Sequence, residues 1–329
     1  MKPKLEYINS QLKNIRKNNL YRKMYDSKIT GPYITINSKT LINLCSNDYL
    51  GITQPKISNK QNQSSSRLIA GNDNSFRILE EKLAKHKSQE RSLIFPTGYM
   101  ANLGVISSLI EKNDLVLSDK LNHASLIEAC KLCNAKLSIF KHNNMSDLIH
   151  KIKTRAKRKF IITEGIFSMD GDFSNLNAVS EISEKNNAIT ILDDAHGDFV
   201  VGNDGKGTAN YFGVSKKIDV YISSLSKGLG SFGGYVSARK SIIELCINKS
   251  KSFIYTSALP RLLIDDATKR FESDREKNRK KLWKNVKKFS TGLKKIGFIV
   301  NSNSHILPII IGKEKTAIEF GEYLFKNGI

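Results

Sequence analysis

Cysteine, proline and acid are what this sequence has little of. Four cysteines in 329 residues cannot staple a chain of this size, which excludes a disulfide scaffold and makes a reducing cytoplasm the expected compartment. Six prolines and one tryptophan leave no proline-rich linker, and no low-complexity segment or internal repeat interrupts the chain. No apolar run approaches the ~18 residues of a membrane-spanning helix. The polar stretch 1–19 lacks the apolar centre of a secretory signal. HExxH, GxxxxGK[ST] and GxSxG are all missing, which removes zinc-protease, P-loop and α/β-hydrolase readings. Acidic residues number 31 against 53 lysines and arginines, a net charge of +22. Such an excess invites a nucleic-acid reading. The basic residues cluster at 151–159 (KIKTRAKRK) and at 270–295, where acids are interspersed. Lys, Ile and the 29 Asn share A/T-rich codons, so solvated lysine faces explain the charge more simply. At 40% hydrophobic and 26% charged residues, the composition is that of a globular protein long enough for two domains.

The middle of the chain repeats one pattern: a short apolar run, a polar loop, then an amphipathic helix. Runs at 92–96, 114–118, 159–163, 188–192 and 219–223 read as strands buried on both faces of a largely parallel sheet with flanking helices, an α/β class. Before this core, 5–25 reads as an amphipathic helix and 33–43 as a hairpin. After it, 265–296 reads as a long charged helix, with a broken helix as the alternative. The stretches 298–300 and 306–311 then read as strands, and 315–326 as a helix. The expected domains are an arm at 1–45, a large domain at 46–260 and a small α+β domain at 261–329. Ligands of open α/β sheets sit outside the carboxyl ends of the strands, and the unusual polar residues of this sequence lie in those loops.

Two motifs dissolve on inspection. Gly228-x-Gly230-x-x-Gly233 follows a strand pattern but runs into Tyr235–Ala238, another strand pattern, where a dinucleotide site needs a helix. Cys130-x-x-Cys133 lies in a helical stretch with no second cysteine pair, so the two read as core residues and not zinc ligands. What remains is a constellation. Asp193-Asp194-Ala195-His196 closes one strand and Ser224-Leu225-Ser226-Lys227-Gly228 closes the next. A lysine at the mouth of a buried strand is partly desolvated, which lowers its pKa as a Schiff-base amine requires. A carboxylate on the neighbouring strand end suits a protonated pyridine nitrogen. Gly98 and Tyr99 sit where a strand turns into a helix, so free N–H groups there can hold a phosphate. Lysine, acid and phosphate cradle together point to pyridoxal 5′-phosphate (PLP).

The sequence resembles the α-oxoamine synthases, PLP enzymes of the aspartate-aminotransferase fold. The matching segments, in family order, are SNDYLG (46–51), TGYMAN (97–102), NHASLIEA (122–129), TEGIFSMDGD (163–172), LDDAHG (192–197), SLSKGLGSFGGYV (224–236) and IYTSALP (254–260). The resemblance implies that Lys227 carries the cofactor and moves the α-proton, that Asp193 pairs with the ring nitrogen, and that His196 bonds the ring's phenolic oxygen. It also implies that His123 stacks on the ring, that Ser168 lies beside it, and that Ser224, Gly98 and Tyr99 hold the phosphate. Asn47 and Arg22 are implied to face the substrate, and Ser257 to approach the partner subunit's cofactor in a homodimer.

The implied reaction, in the biotin-forming branch of the family, joins L-alanine to pimeloyl-CoA or a pimeloyl-acyl-carrier protein with loss of CO2. Sister reactions of the 2-amino-3-ketobutyrate, 5-aminolevulinate and serine-palmitoyl types would use the same core residues. The alternative class is a basic nucleic-acid-binding protein with a degenerate enzyme core. Departures from the family pattern fall at 64–72 (SSSRLIAGN), at Asp198-Phe199 and at Arg261. Relatives also continue beyond the helix at 315–326, into segments with an arginine for the amino-acid carboxylate and a threonine near the acyl substrate. The small domain is accordingly expected to be incomplete, with PLP binding retained and alanine binding weak or absent.

Overall fold

The computed structural model describes residues 6–53, 55 and 65–329; Leu5 and Ser64, at the starts of two segments above, lie outside them. The described chain forms two compact units, Met1–Ser46 with Ile309–Ile329, and Asn47–Pro308.

In the first unit, α1 (Glu6–Lys17) is followed by a three-stranded antiparallel sheet of β1 (Ser27–Thr30), β2 (Tyr33–Ile36) and β3 (Lys39–Ile42). The helix expected to reach residue 25 stops at Lys17, where Asn19 takes a left-handed φ of 58° and ends the ladder as a C-terminal cap. The expected hairpin is β2–β3. Its two turn residues, Asn37 and Ser38, both have positive φ, the geometry that matches strand twist. The last helix, Glu314–Lys326, is tied to this sheet: Lys39 Nζ donates to the carbonyls of Phe325 and Lys326, each at 2.8 Å. A cation there serves carbonyls that the helix end leaves unpaired.

The second unit is built on a seven-stranded sheet. Its strands are β4 (Arg91–Phe95), β5 (Leu115–Asp119), β6 (Lys136–Phe140), β7 (Lys159–Glu164), β8 (Ile189–Asp193), β9 (Val220–Ser224) and β10 (Gly234–Ala238), in the order β4-β10-β9-β8-β7-β5-β6. β10 is antiparallel to both neighbours; the other six run the same way. The α/β class with a mostly parallel sheet is therefore as read from the apolar runs. Those runs work because both faces are buried. In β7, Phe160 and Ile162 enter the core beneath α3 (Gly98–Leu109) and α4 (Ala124–Leu132), while Ile161 enters the opposite core with Leu148 and Val179. β6 escaped the sequence reading because it is an edge strand, half-exposed, with Ser138 at its centre.

The flanking helices also include α2 (Asn74–Lys87), α5 (Met145–Lys151), α6 (Leu176–Lys185), α7 (Thr208–Tyr211), α8 (Lys240–Lys249) and α9 (Lys251–Ile254). The long charged helix is two, α10 (Arg261–Glu272) and α11 (Glu276–Lys295), separated by an extended Ser273. Ile264 and Ala267 of α10 share a core with Leu79 and Leu83 of α2. The compact units consequently divide at residue 308, whereas the sequence reading drew a boundary at 260. No strand forms at 298–300 or 306–311. Hydroxyls replace the expected ladder: Ser302 and Ser304 donate to the Gly171 carbonyl at 2.8 and 2.6 Å. Cys130 is core, as read. Burial pushes its thiol up to about 12 and that of Cys133 up to about 11, so both keep their protons.

Candidate active site

The carboxyl ends of β4, β9, β8, β7 and β5 lie along one edge of the sheet and feed the loops that carry the polar constellation. β8 ends at Asp193, whose neighbour in register on β7 is Glu164. One strand away, β9 ends at Ser224 and turns through Lys227, with Gly230 N–H closing the turn on the Lys227 carbonyl at 3.0 Å. The Lys227 amine lies 2.7 Å from His196 Nε2. Burial lowers the pKa of this amine, against the opposing pull of Asp193 and Glu164. Burial, and then the positive charge of Lys227, take His196 down to about 2. The pair is thus an imidazole disfavoured as a cation beside an amine whose pKa is lowered, the direction a nucleophilic lysine requires.

Asp193 is held on both oxygens. Oδ1 accepts from Ala195 N–H at 3.0 Å and Oδ2 from Asn102 Nδ2 at 2.7 Å. The other Asn102 proton goes to Ser125 Oγ at 2.9 Å, and that hydroxyl lies 2.7 Å from His123 Nδ1. An unbroken chain of hydrogen bonds therefore runs from Asp193 to His123 through α3 and the start of α4. His123 Nδ1 also accepts from Ser125 N–H at 3.3 Å. With two donors on Nδ1, the ring proton sits on Nε2. The His123 backbone N–H donates to Glu164, whose carboxyl is pushed up to about 8 by burial and by the charge of Asp193.

The start of α3 could hold an anion. Thr97 caps it, accepting from Met100 N–H at 3.1 Å, and the first N–H groups of a helix have no partner within it. Gly98 faces Ser224, whose Cβ would lie 3.3 Å from a Gly98 Cβ. Gly234 of β10 passes directly beneath: a Cβ there would fall 2.4 Å from Gly98 N, so only glycine lets the strand run under the helix start. The Tyr99 hydroxyl bonds Glu128, and its ring meets His123 edge-on at 6.4 Å.

The sequence-read residues Lys227, Asp193, His196, His123, Ser224, Gly98 and Tyr99 thus converge on one edge. Ser168 follows β7 and is half-buried; Asn47 is exposed and accepts from Tyr49. Ser257 is exposed beside a small hollow lined by Arg67, Phe76, Phe95 and Phe253. Arg22 is exposed in the first unit. Tyr49, Asn102 and Glu164 were missed as site residues, although each lies in a segment quoted for the family resemblance. For Asn102 the available signal was an amide on a helix whose other inward positions are apolar or small.

A family model for class I and II aminotransferases matches residues 39–329. An 8-amino-7-oxononanoate synthase from Thermoanaerobacter pseudethanolicus is 37% identical over 342 residues, covering 99% of this chain and 87% of its own length. This chain belongs to the class I and II aminotransferase family, in its 8-amino-7-oxononanoate synthase branch. Among solved structures, the Francisella tularensis 8-amino-7-oxononanoate synthase is 29% identical with a TM-score of 0.70, over 78% of this chain and 77% of that one. A serine palmitoyltransferase from S. paucimobilis with bound PLP–myriocin aldimine shares the fold, with a TM-score of 0.88 at 23% identity over 99% of this chain and 89% of that one.

Proposed function

We propose that this chain is a PLP-dependent acyltransferase that joins L-alanine to a pimeloyl thioester, forming 8-amino-7-oxononanoate with release of CO2 and the thiol. The observation that carries the reading is the desolvated Lys227 amine at the mouth of β9, against His196 and one strand from the doubly held Asp193. PLP fits this donor set: an amine for its aldehyde, a buried carboxylate for its ring nitrogen, and helix N–H groups with a hydroxyl for its phosphate. When bound, PLP supplies an electron-accepting ring that stabilises negative charge at the α-carbon of an amino acid.

The residues of the chain do the rest. Lys227 takes the α-proton of alanine and returns one to the product, a role that burial favours by lowering its pKa. Asp193 would keep the ring nitrogen protonated, and His196, whose charged form burial disfavours, would direct a hydrogen bond to the ring oxygen. His123 would lie against the ring face with Ser168 beside it. Ser224 and the N–H groups of Gly98 and Tyr99 would hold the phosphate. Asn47 and Arg22 are the residues the family pattern would turn towards the substrate. Ser257 serves the partner subunit's site in a cytoplasmic homodimer. Among the described residues no helix is long and apolar enough to cross a membrane.

The test uses the purified chain with PLP. A visible absorbance band that borohydride fixes on Lys227, and its loss in Lys227→Ala, is the expected result. Alanine, glycine and serine are then offered with pimeloyl-CoA and pimeloyl-acyl-carrier protein, with products read by mass. An unchanged band in Lys227→Ala, or product only from glycine or serine, overturns the assignment.

A further inference from the structure

We propose that Tyr49 is a positioning residue whose hydroxyl, set between Asn47 Oδ1 and His196 Nδ1, decides which nitrogen of His196 carries the proton and so what the imidazole presents to Lys227.

The hydroxyl lies 2.6 Å from His196 Nδ1 and 3.3 Å from Asn47 Oδ1. On the far side of the imidazole, Nε2 lies 2.7 Å from the Lys227 amine. The four groups form one line: amide oxygen, phenol, imidazole, amine. Burial raises the Tyr49 pKa above its ordinary value, so the hydroxyl keeps its proton. His196 is neutral and carries a single ring proton. These conditions leave two arrangements. When the hydroxyl donates to Asn47, its oxygen accepts from His196 Nδ1–H, and Nε2 is left as an acceptor for a Lys227 N–H. The lone pair of a neutral Lys227 is then free to attack a carbonyl carbon. When the hydroxyl rotates to donate to Nδ1, the proton moves to Nε2 and points at whatever lies there, including an anionic oxygen of a bound ligand. Asn47 Oδ1 can only accept, so the arrangement that engages it is the one that frees the lysine.

The rest of the surroundings hold the phenol without competing for it. The His305 ring meets Tyr49 edge-on at 4.2 Å and 74°, and Trp283 meets His305 edge-on at 6.2 Å and 86°. Both His305 nitrogens are buried without a hydrogen-bond partner, so His305 acts on Tyr49 by packing alone. Tyr49 is thereby fixed in position with its hydroxyl torsion as the free variable.

The inference rests on the lysine reading above, and its decisive measurement is made on the full chain before PLP is added. Histidine-selective 15N labelling with long-range 1H–15N correlation reads the protonated nitrogen of each imidazole, and His196→Gln assigns the signal. Wild type is expected to show His196 protonated on Nδ1, with Tyr49→Phe shifting it wholly or partly to Nε2. His305→Phe, which keeps a packing ring, is expected to retain the wild-type pattern. PLP uptake followed by absorbance is expected to slow roughly three- to tenfold in Tyr49→Phe, the scale of one hydrogen bond. If Tyr49→Phe does not fold, Asn47→Ala removes the acceptor of the hydroxyl and is expected to move the tautomer the same way. An identical His196 pattern in wild type and the variant overturns the proposal, as does a tautomer change in His305→Phe. A wild type that takes up no PLP overturns the lysine reading instead.

Discussion

Lys87 sits on α2 with 3% of its surface exposed, beneath the turn that carries Asp193 and His196. Its amine is 3.0 Å from Asp194 Oδ2, 2.7 Å from Asp198 Oδ1 and 3.0 Å from the Lys206 carbonyl. Burial alone would lower the Lys87 pKa, and the two carboxylates overcome it, so the amine stays charged. Replacing it by methionine keeps most of the volume and strands two fully buried carboxylates. Asp198 would retain Ser223 at 2.8 Å, His86 at 3.0 Å and Tyr235; Asp194 would retain Thr208. Removing one partner of such a buried pair costs about 3–5 kcal/mol, and at ~2–4 °C per kcal/mol the melting temperature falls by about 10 °C. Urea unfolding of Lys87→Met measures this directly. The double variant Lys87→Met/Asp198→Asn is expected to recover part of the loss, because it removes one uncompensated charge. If Lys87→Met stays within about 1 kcal/mol of wild type, the claim that this cation fixes the turn is wrong.

Glu164 gives a pH signature. Its pKa rises from the ordinary 4.5 to about 8 in the fold, so its contribution to stability is fully present below pH ~4.5 and is lost as pH climbs towards 8. The slope is about 1.4 kcal/mol per pH unit between those limits. Glu164→Gln cannot ionise and is expected to flatten that slope in unfolding midpoints from pH 5 to 9; parallel curves would refute the assignment. Asn102→Ala removes the 2.7 Å donor to Asp193 and cuts the chain to His123. PLP affinity is expected to fall roughly tenfold, read by equilibrium dialysis, and an unchanged affinity would show that Asp193 needs no such support.

The legible part of the site was the part that follows buried strands. Asp193 and Ser224 come directly after apolar runs and Lys227 lies three residues beyond Ser224, where a polar residue has little reason to be unless it works. Tyr49 and Glu164 were illegible as site residues, and Asn102 nearly so, because their meaning lies in partners remote in sequence. Tyr49 comes before the α/β core and finds His196 only in three dimensions. Asn102 lies on a helix so thoroughly buried that periodicity does not separate its faces. The fold was only partly legible where no local signal existed. The break in the long charged helix was left open by the sequence because Ser273 brings neither proline nor glycine to place it. The extended tail after α11 has strand composition but spends its polar contacts on a loop carbonyl.

β10 has a consequence for the order in which this protein is made. It is the sheet partner of β4, and Gly234 is the floor on which the start of α3 rests. A chain emerging from the ribosome completes β4 and α3 early, yet neither can be seated until the lysine turn has been synthesised and β10 has folded back between β4 and β9. Through that interval the apolar Leu93, Ile94 and Phe95 have no ladder, the condition under which strands seek wrong partners. Closure over so long a stretch of chain is also slow. The start of α3 and the Lys227 turn are therefore finished in one event, so a nascent chain has no half-built candidate site with which to capture a cofactor early.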